Sequence, residues 1–187
     1  NEVNMAIHTS SSQQINVSIP EYLKSGEFKF IRLKPRSKEP CDAWTNKRHQ
    51  YDADSPAMVK WLESGGNYGV LCVSGDVCIL DADNHTRLEQ LGCLDEFADT
   101  FTVETGSEQG GHYHYYIRVN GYEPKKIPFY DLVDEKEHLG ELYPAGSQAY
   151  CVGPGSIHPS GNPYRVLNDS PLKEISQESL DIALFSK

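Results

Sequence analysis

The sequence lacks any long apolar run. None of its stretches approaches the ~20 consecutive apolar residues of a membrane-spanning helix, and no basic, apolar and small segments at its start mark a secretory signal. Internal repeats and a linker long enough to divide the chain are missing too. These absences predict no membrane contact, a flexible or peripheral arm over residues 1–20, and a single folded domain over residues 21–187.

Paired cysteines and an excess of basic residues are also absent. The five cysteines are an odd number without a Cys-x-x-Cys pair, which argues against a disulfide framework and a thiolate zinc site. A reduced, cytoplasmic protein follows as an expectation. The 27 acidic residues against 17 basic ones, a net charge of −10, argue against broad non-specific affinity for nucleic acids.

The apolar residues that are present predict a mixed order of strands and helices. Strands are expected over residues 28–33, 68–73, 77–80, 101–104 and 113–119, and around 149–152 and 164–167. Helices are expected to begin at Ser55-Pro56 and Ser170-Pro171, and a third to carry Leu88, Leu91, Leu94 and Phe97. The runs 68–73 and 77–80 flank Ser74-Gly75-Asp76, which predicts a β-hairpin. Because strands and helices do not alternate regularly, the fold class expected is α+β.

Two acids follow one of the apolar strands. Side chains alternate along a strand, so Asp81 and Asp83 leave the same face. Two carboxylates one strand step apart repel each other unless a cation lies between them, and Mg²⁺ and Mn²⁺ prefer oxygen ligands. The alternative is a strand that ends in a solvated turn, since this pattern also suits turns.

A second strand alternates histidine with aromatic residues. One face is expected to carry His112, His114, Tyr116 and Arg118, and the other Tyr113, Tyr115 and Ile117. Histidine in such a setting binds phosphate, acts as an acid or ligates a metal. The alternative is an aromatic strand whose histidines are only half exposed.

A third acid and a turn-rich loop follow. Glu141 matters only if folding brings it to the face of Asp81 and Asp83. The loop over 153–161 offers backbone N–H groups, the Ser156 and Ser160 hydroxyls and the His158 imidazole, which suit phosphate oxygens. The alternative is an ordinary hairpin connection.

Positive charge is concentrated in one segment near the N-terminus. Its members are Lys29, Arg32, Lys34, Arg36, Lys38, Lys47 and Arg48. Such a patch suffices to hold a triphosphate or a primer–template backbone, although a solvated face is the usual alternative.

Taken in order, these segments resemble the bifunctional primase–polymerase (prim-pol) domain of the archaeo-eukaryotic primase superfamily, found in replication proteins of plasmids and phages. The resemblance extends from Phe28 to Leu167. It rests on the basic, proline-containing segment 34–40 with Trp44 after it, the strand that ends at Asp83, the strand 113–117, Glu141, and the loop 154–161 with Tyr164.

The resemblance implies an RRM-like antiparallel sheet with a smaller N-terminal α/β part. It also implies a metal-dependent DNA primase/polymerase that makes or extends primers by two-metal nucleotidyl transfer. Asp81, Asp83 and Glu141 would be the catalytic acids that hold Mg²⁺ or Mn²⁺. The implied nucleotide-binding residues are His114, Ser156, His158, Lys34, Arg36 and Lys38. The family usually has a small residue where this chain has His112, so His112 is the alternative to His114.

The partners implied are nucleoside triphosphates, a single-stranded DNA template with its primer, and a helicase or helical accessory domain outside this chain. One alternative function is a rolling-circle endonuclease. Such enzymes carry a His-hydrophobe-His pair, and His112-Tyr113-His114 is similar to it. That enzyme needs a tyrosine nucleophile, usually on a helix. Another is a non-catalytic single-strand-binding module that stacks bases on Tyr113, Tyr115 and Tyr116, which leaves the acids unexplained.

Overall fold

Strands dominate the architecture. The computed structural model describes residues 17–185, so residues 1–16 of the predicted arm lie outside the described part. The strands are β1 (Phe28–Leu33), β2 (Asn67–Cys72), β3 (Val77–Ala82), β4 (Thr102–Glu104), β5 (Tyr113–Arg118), β6 (Ile127–Tyr130), β7 (His138–Pro144), β8 (Cys151–Val152), β9 (Arg165–Asn168) and β10 (Lys173–Glu174). The α-helices are α1 (Pro56–Glu63), α2 (His85–Gln90) and α3 (Gln177–Leu184), and 3₁₀ turns lie at Glu21–Leu23, Lys47–His49 and Asp95–Phe97. In this part of the chain no helix is both long and apolar enough to cross a membrane.

Over residues 17–185 the strands form two sheets. The small sheet has the order β1-β2-β8 and is antiparallel. The large sheet has the order β6-β7-β3-β5-β4-β9 and is antiparallel along this path, while β10 pairs in parallel with the end of β5. The predicted α+β class is therefore confirmed at the level of a mixed fold with mostly antiparallel sheets.

The large sheet separates two apolar layers because its side chains alternate between its faces. Ile79 and Tyr116 belong to the layer shared with the small sheet. Leu80 and Ile117 belong to the layer that contains α2, α3 and the turn Asp95–Phe97. Asp81 continues the row of Ile79 along β3, so it emerges at the margin of the layer between the two sheets.

Helix α1 confirms its predicted start. Ser55 Oγ accepts a hydrogen bond from Met58 N at 3.2 Å, and Pro56 is the first helical residue. Met58 and Leu62 are buried. The chain leaves the helix through Gly65, whose φ of +90° favours glycine.

The predicted hairpin between β2 and β3 is wrong, because the two strands belong to different sheets. β2 has β1 and β8 as neighbours, and β3 has β5 and β7. Between them the N–H groups of Val73 and Ser74 both donate to the carbonyl of Glu27. This contact and the positive φ of Gly75 direct the chain from one sheet to the other. The two adjacent apolar runs therefore form central strands of two different sheets rather than a β-hairpin.

The predicted helix that carries Leu88 and Phe97 is divided into two parts. Helix α2 ends at Gln90, and the 3₁₀ turn Asp95–Phe97 follows after Gly92, which has a φ of +71°. Leu88 and Phe97 are buried in the same apolar layer. The apolar stripe therefore reflects a shared core rather than a continuous helix.

The last helix begins later than predicted. Its N-cap is Ser176, whose hydroxyl accepts from Ser179 N at 3.1 Å, rather than Ser170. The residues in between include β10, which pairs with β5. Leu180 and Leu184 are buried, whereas Ile182 is 60% exposed.

The stretch after β5, for which the sequence predicts no strand, contains β6 and β7. Pro128 lies in β6, which is an edge strand where the missing N–H is tolerated. In β7, Gly140 and Glu141 interrupt the apolar alternation, although Leu139 and Leu142 are buried. Because of these interruptions, the apolar pattern does not predict β7, although this strand pairs directly with β3.

Candidate active site

Asp81 lies at the centre of a three-strand register. Across β5 its partner is His114, and across β7 its partner is Glu141. Residues directly opposite each other in antiparallel strands point to the same face. The fold therefore brings an acid from β3, a histidine from β5 and an acid from β7 side by side.

Asp81 and His114 are in close contact. Nε2 of His114 is 3.5 Å from Oδ1 of Asp81. His114 is only 5% exposed, and its Nδ1 is buried without a hydrogen-bond partner among the described residues. Burial acts to raise the pKa of Asp81, but the charge and hydrogen bond of His114 outweigh it and lower that pKa. Asp81 is therefore held as a carboxylate.

Asp83 lies one strand step further out, between two imidazoles. Oδ1 is 3.5 Å from Nδ1 of His112, and Oδ2 is 3.9 Å from Nδ1 of His138. Burial and the negative charge of Asp81 raise the pKa of Asp83. The two acids thus repel each other, as expected for a site that concentrates negative charge.

Glu141 completes the acidic group. Tyr143 donates its hydroxyl to Oε2 at 2.8 Å, while Oε1 is 3.4 Å from Lys126 Nζ and 3.8 Å from His138 Nε2. Gly140 before it has a φ of +153°, and a Cβ there would lie 2.0 Å from the carbonyl oxygen of Asp81. A glycine is required for β7 to approach β3 this closely.

Asn67 brings two loops together above the acids. Its side-chain Nδ2 donates to the carbonyls of Ser37 (3.1 Å) and Ile157 (2.7 Å), and its Oδ1 accepts from Ile157 N at 2.9 Å. Asn67 is only 1% exposed. This buried amide therefore joins the basic turn after β1 to the loop that follows β8, and so places Lys38 and His158 at one site.

His158 is held with one ring nitrogen free. Its Nδ1 accepts a hydrogen bond from Ser160 N at 3.0 Å. Burial lowers the pKa of His158, and the charge of Lys38 lowers it further. The imidazole is therefore neutral near pH 7, and its proton is assigned to Nε2, which is available as a donor.

Several of these groups line one cleft of about 290 Å³, whereas Glu141, Asn67 and His138 are not part of its lining. Its lining includes Asp81, Asp83, His114, Lys38 and His158. Carboxylates occupy the floor on the large sheet, whereas a lysine and a neutral imidazole approach from the loops. Such an arrangement presents oxygen ligands on one side and hydrogen-bond donors on the other.

Three of the predicted nucleotide-binding residues do not line this cleft. Ser156 is fully buried, and its Oγ accepts from Tyr68 N at 3.2 Å. Lys34 pairs with Glu39 at 2.9 Å. Arg36 lies in the turn after β1 with a φ of +52° and is absent from the lining. Of the basic segment only Lys38 reaches the cleft.

Sequence reasoning missed several groups at the site, which are Asn67, Lys126, His138 and Tyr143. His138 lies within 4 Å of both Asp83 and Glu141. The pattern Glu141-x-Tyr143 would have placed the tyrosine beside the glutamate, had β7 been identified as a strand. No local pattern marks Asn67, because its partners lie 30 and 90 residues away along the chain.

The tyrosines of β5 are packed inside the protein. Tyr116 is fully buried and Tyr115 is 6% exposed. Tyr113 stacks with Tyr115 on the face away from the cleft, with ring centroids 6.2 Å apart. Stacking of nucleobases on Tyr115 or Tyr116 would require the sheet to open.

Among residues 17–185, no three His, Cys, Asp or Glu side chains form a ready-made metal-binding cluster. Comparison with known families finds one that accounts for the order of the segments. The family model described as bifunctional DNA primase/polymerase, N-terminal (Prim-Pol) matches residues 19–178. The search of curated proteins finds no match to the chain.

Proposed function

Since the chain belongs to the Prim-Pol family of bifunctional DNA primase/polymerase N-terminal domains, we propose that it is a nucleotidyltransferase that makes or extends primers on a single-stranded DNA template. The observation that carries this proposal is the register of β3 with its neighbours, which sets Asp81 between His114 and Glu141. The large sheet would be the RRM-like catalytic sheet that the family resemblance implies.

The donor set fits a pair of Mg²⁺ or Mn²⁺ ions. Asp81, Asp83 and Glu141 supply only oxygen ligands, which these ions prefer. The negative charge of Asp81 helps to raise the pKa of Asp83. A cation bound between two such carboxylates would relieve their repulsion. These three residues are therefore the proposed metal ligands. Bound there, the ions would activate a primer 3′-hydroxyl and neutralise the charge of the triphosphate.

The chain's own groups would hold and orient the triphosphate. Lys38 supplies a positive charge, and Nε2–H of His158 donates to a phosphate oxygen. His114 is fixed against Asp81 and lines the cleft, which suits a contact to the nucleotide. Tyr143 fixes Oε2 of Glu141, while Oε1 lies near Lys126 and His138.

The two alternative functions are less well supported. None of the three described α-helices contains a tyrosine, and an endonuclease of the rolling-circle type usually places its nucleophile on one. The binding module would stack bases on Tyr113, Tyr115 and Tyr116, but Tyr115 and Tyr116 are buried.

A nucleotide incorporation assay tests the proposal. The chain is incubated with labelled deoxynucleotides, Mn²⁺ or Mg²⁺, and single-stranded DNA with or without an annealed primer. Elongation of the primer supports polymerase activity, and products on the unprimed strand support primase activity. Strand nicking with a covalent protein–DNA adduct and no elongation would overturn the proposal in favour of the endonuclease.

A Mn²⁺ titration separates the polymerase from the binding module. Free Mn²⁺, followed by its electron paramagnetic resonance signal, should decrease as two ions bind per chain in the presence of nucleotide. The Asp81→Asn/Glu141→Gln variant should lose this binding. Equal Mn²⁺ binding by both proteins would contradict the assignment of the ligands.

A further inference from the structure

A second pocket lies outside the catalytic cleft, where the basic segment meets the connection between β7 and β8. It has a volume of about 330 Å³ and is lined by Trp44, Thr45, Lys47, Gln50, Leu71, Cys72, Val73, Gly146, Ser147 and Gln148. No carboxylate from residues 17–185 belongs to this lining, although the chain carries a net charge of −10. The pocket combines an indole ring, side-chain amides and an ammonium group, and the catalytic assignment uses none of them.

The polar groups of the pocket are available to a ligand. Gln50 donates its Nε2 to the carbonyl of Trp44 at 3.1 Å, which orients its amide and leaves Oε1 as an acceptor. Lys47 and Gln148 are exposed. Ser147 Oγ is buried in the wall without a hydrogen-bond partner among residues 17–185. Unpartnered buried polar groups are uncommon in folded proteins.

Lys47 differs from Arg32 and Lys34 in its pairing. Arg32 pairs with Asp42 at 2.8 Å and Lys34 with Glu39 at 2.9 Å. No carboxylate of the described residues pairs with Lys47. Its charge is therefore free for an anion at the mouth of the pocket.

A short chain of contacts connects this pocket with the catalytic cleft. The rings of Trp44 and Tyr150 meet edge to face, with centroids 5.2 Å apart. The hydroxyl of Tyr150 donates to the carbonyl of Lys38 at 2.7 Å. Lys38 lines the cleft. A ligand in the pocket would thus lie next to the side of the cleft where the nucleotide is expected.

From these contacts we infer that the pocket binds an unpaired nucleotide of a single-stranded DNA, with the base against Trp44 and a phosphate on Lys47. An aromatic face accepts any base, while amides contact its polar edge and an ammonium holds the backbone. The inference rests on the proposed function, because it assigns the pocket to the template strand. It also explains how an acidic chain holds DNA, namely at one local site rather than over a broad surface.

The test measures binding of a fluorescein-labelled oligodeoxythymidylate by anisotropy, without nucleotide or added metal. Trp44→Ala should weaken binding about fivefold to 100-fold, the range expected for one stacked base. Trp44→Phe retains an aromatic face, so its change in log Kd should be less than half of the change in Trp44→Ala. Gln148→Ala, an exposed change that does not disturb the core, should also weaken binding. Unchanged binding in Trp44→Ala and Gln148→Ala would overturn the inference.

The salt dependence of binding provides an independent measurement of the phosphate contact. Lys47→Gln should reduce the slope of log Kd against log salt by about 0.7, as for one phosphate of a single strand. Lys24→Gln is the matched control, since Lys24 pairs with Glu21 and lines neither the cleft nor the pocket. Equal slopes for these two variants would contradict the phosphate contact.

The two tryptophans differ in a useful way. Trp44 lines the pocket and Trp61 does not, and Trp61 is held by hydrogen bonds to the carbonyls of Leu33 and Asn67, so DNA bound in the pocket should quench Trp44. Equal quenching in wild type and Trp44→Phe, or quenching by free dTMP at the same nucleotide concentration, would overturn the assignment to a strand. Because no step of these assays requires incorporation, their failure is distinguishable from failure of the proposed catalytic function.

Discussion

The imidazole of His114 lies 3.5 Å from the carboxylate of Asp81, directly across the β3–β5 ladder. This contact holds Asp81 ionised although burial opposes it. It also fixes the ring, since His114 has almost no room to move at 5% exposure. The same pair therefore prepares a metal ligand and a nucleotide contact.

His114 should matter more than its neighbour His112. His114→Ala should lower nucleotide incorporation by about 10-fold to 100-fold, the loss expected for one hydrogen bond to a charged phosphate. His112→Ala should cost less, because its imidazole contacts Asp83 at the outer side of the acids. Primer extension at several nucleotide concentrations measures both effects. A larger loss in His112→Ala would assign the nucleotide contact to His112 instead.

Gly140→Ala should destabilise the fold and disrupt the site together. The added Cβ would lie 2.0 Å from the Asp81 carbonyl oxygen and 2.7 Å from the Phe129 ring. We expect a loss of about 3 kcal/mol or more in the free energy of unfolding, measured in urea. Gly92→Ala is the matched control, since Gly92 has a positive φ but open space around it. Equal losses in the two variants would show that the β3–β7 approach is not tight.

Asn67→Ala should raise the KM for nucleotide more than it lowers kcat. Without this amide the carbonyl of Ser37 and both backbone groups of Ile157 lose their partner, so the two loops above the acids separate. The loss of stability should be about 1–3 kcal/mol for unsatisfied buried groups. Asn168→Ala is the control, because Asn168 contacts the Ala98 carbonyl at 3.4 Å and the Ser170 hydroxyl at 2.5 Å but does not line the cleft. A fall in kcat alone would contradict this positioning role.

The Asp131–Arg87 pair predicts a specific pH dependence of stability. The hydrogen bond from Arg87 lowers the pKa of Asp131 far below its ordinary value. A lowered folded-state pKa stabilises the fold at pH values above the unfolded pKa of ~3.9, and this contribution is lost as the pH falls towards the folded value. Asp131→Asn should therefore reduce the free energy of unfolding at pH 7 and have a smaller effect at pH 3.

Urea unfolding at both pH values measures this difference. Asp99→Asn is the control, because Asp99 is exposed and should change stability little at either pH. A deficit of Asp131→Asn that is as large at pH 3 as at pH 7 would contradict the ionic origin of the effect.

The sequence predicts the parts of the site that depend on local alternation. Asp81 follows an apolar strand and His114 an aromatic one, so their faces could be assigned before the fold was known. The position of Glu141 could not, because Gly140 interrupts the apolar pattern of β7 and Pro128 that of β6. The pairing of β2 and β3 was predicted wrongly, since apolar runs do not specify their partners. The hydrogen bonds of Asn67 are long-range and leave no local pattern.

Ser156 is a further residue whose environment could not be predicted from the local sequence. Its position in a glycine- and proline-rich loop predicts an accessible hydroxyl, but the loop folds inwards and the hydroxyl caps Tyr68 N. His158, two residues later in the same loop, lines the cleft. Alternation alone does not distinguish the two, because hydrogen bonds rather than periodicity determine the direction of a loop side chain.

The most direct test of the central claim compares nucleotide incorporation by wild type and by Asp81→Asn/Asp83→Asn on a primed single-stranded template with Mn²⁺. Asp54→Asn is the matched control, because Asp54 is exposed and lies outside the cleft. If the acids carry catalysis, wild type and Asp54→Asn should both incorporate nucleotide. The incorporation rate of the double variant should be lower by at least about 100-fold. Undiminished incorporation by a folded double variant would contradict the assignment of catalysis to these acids.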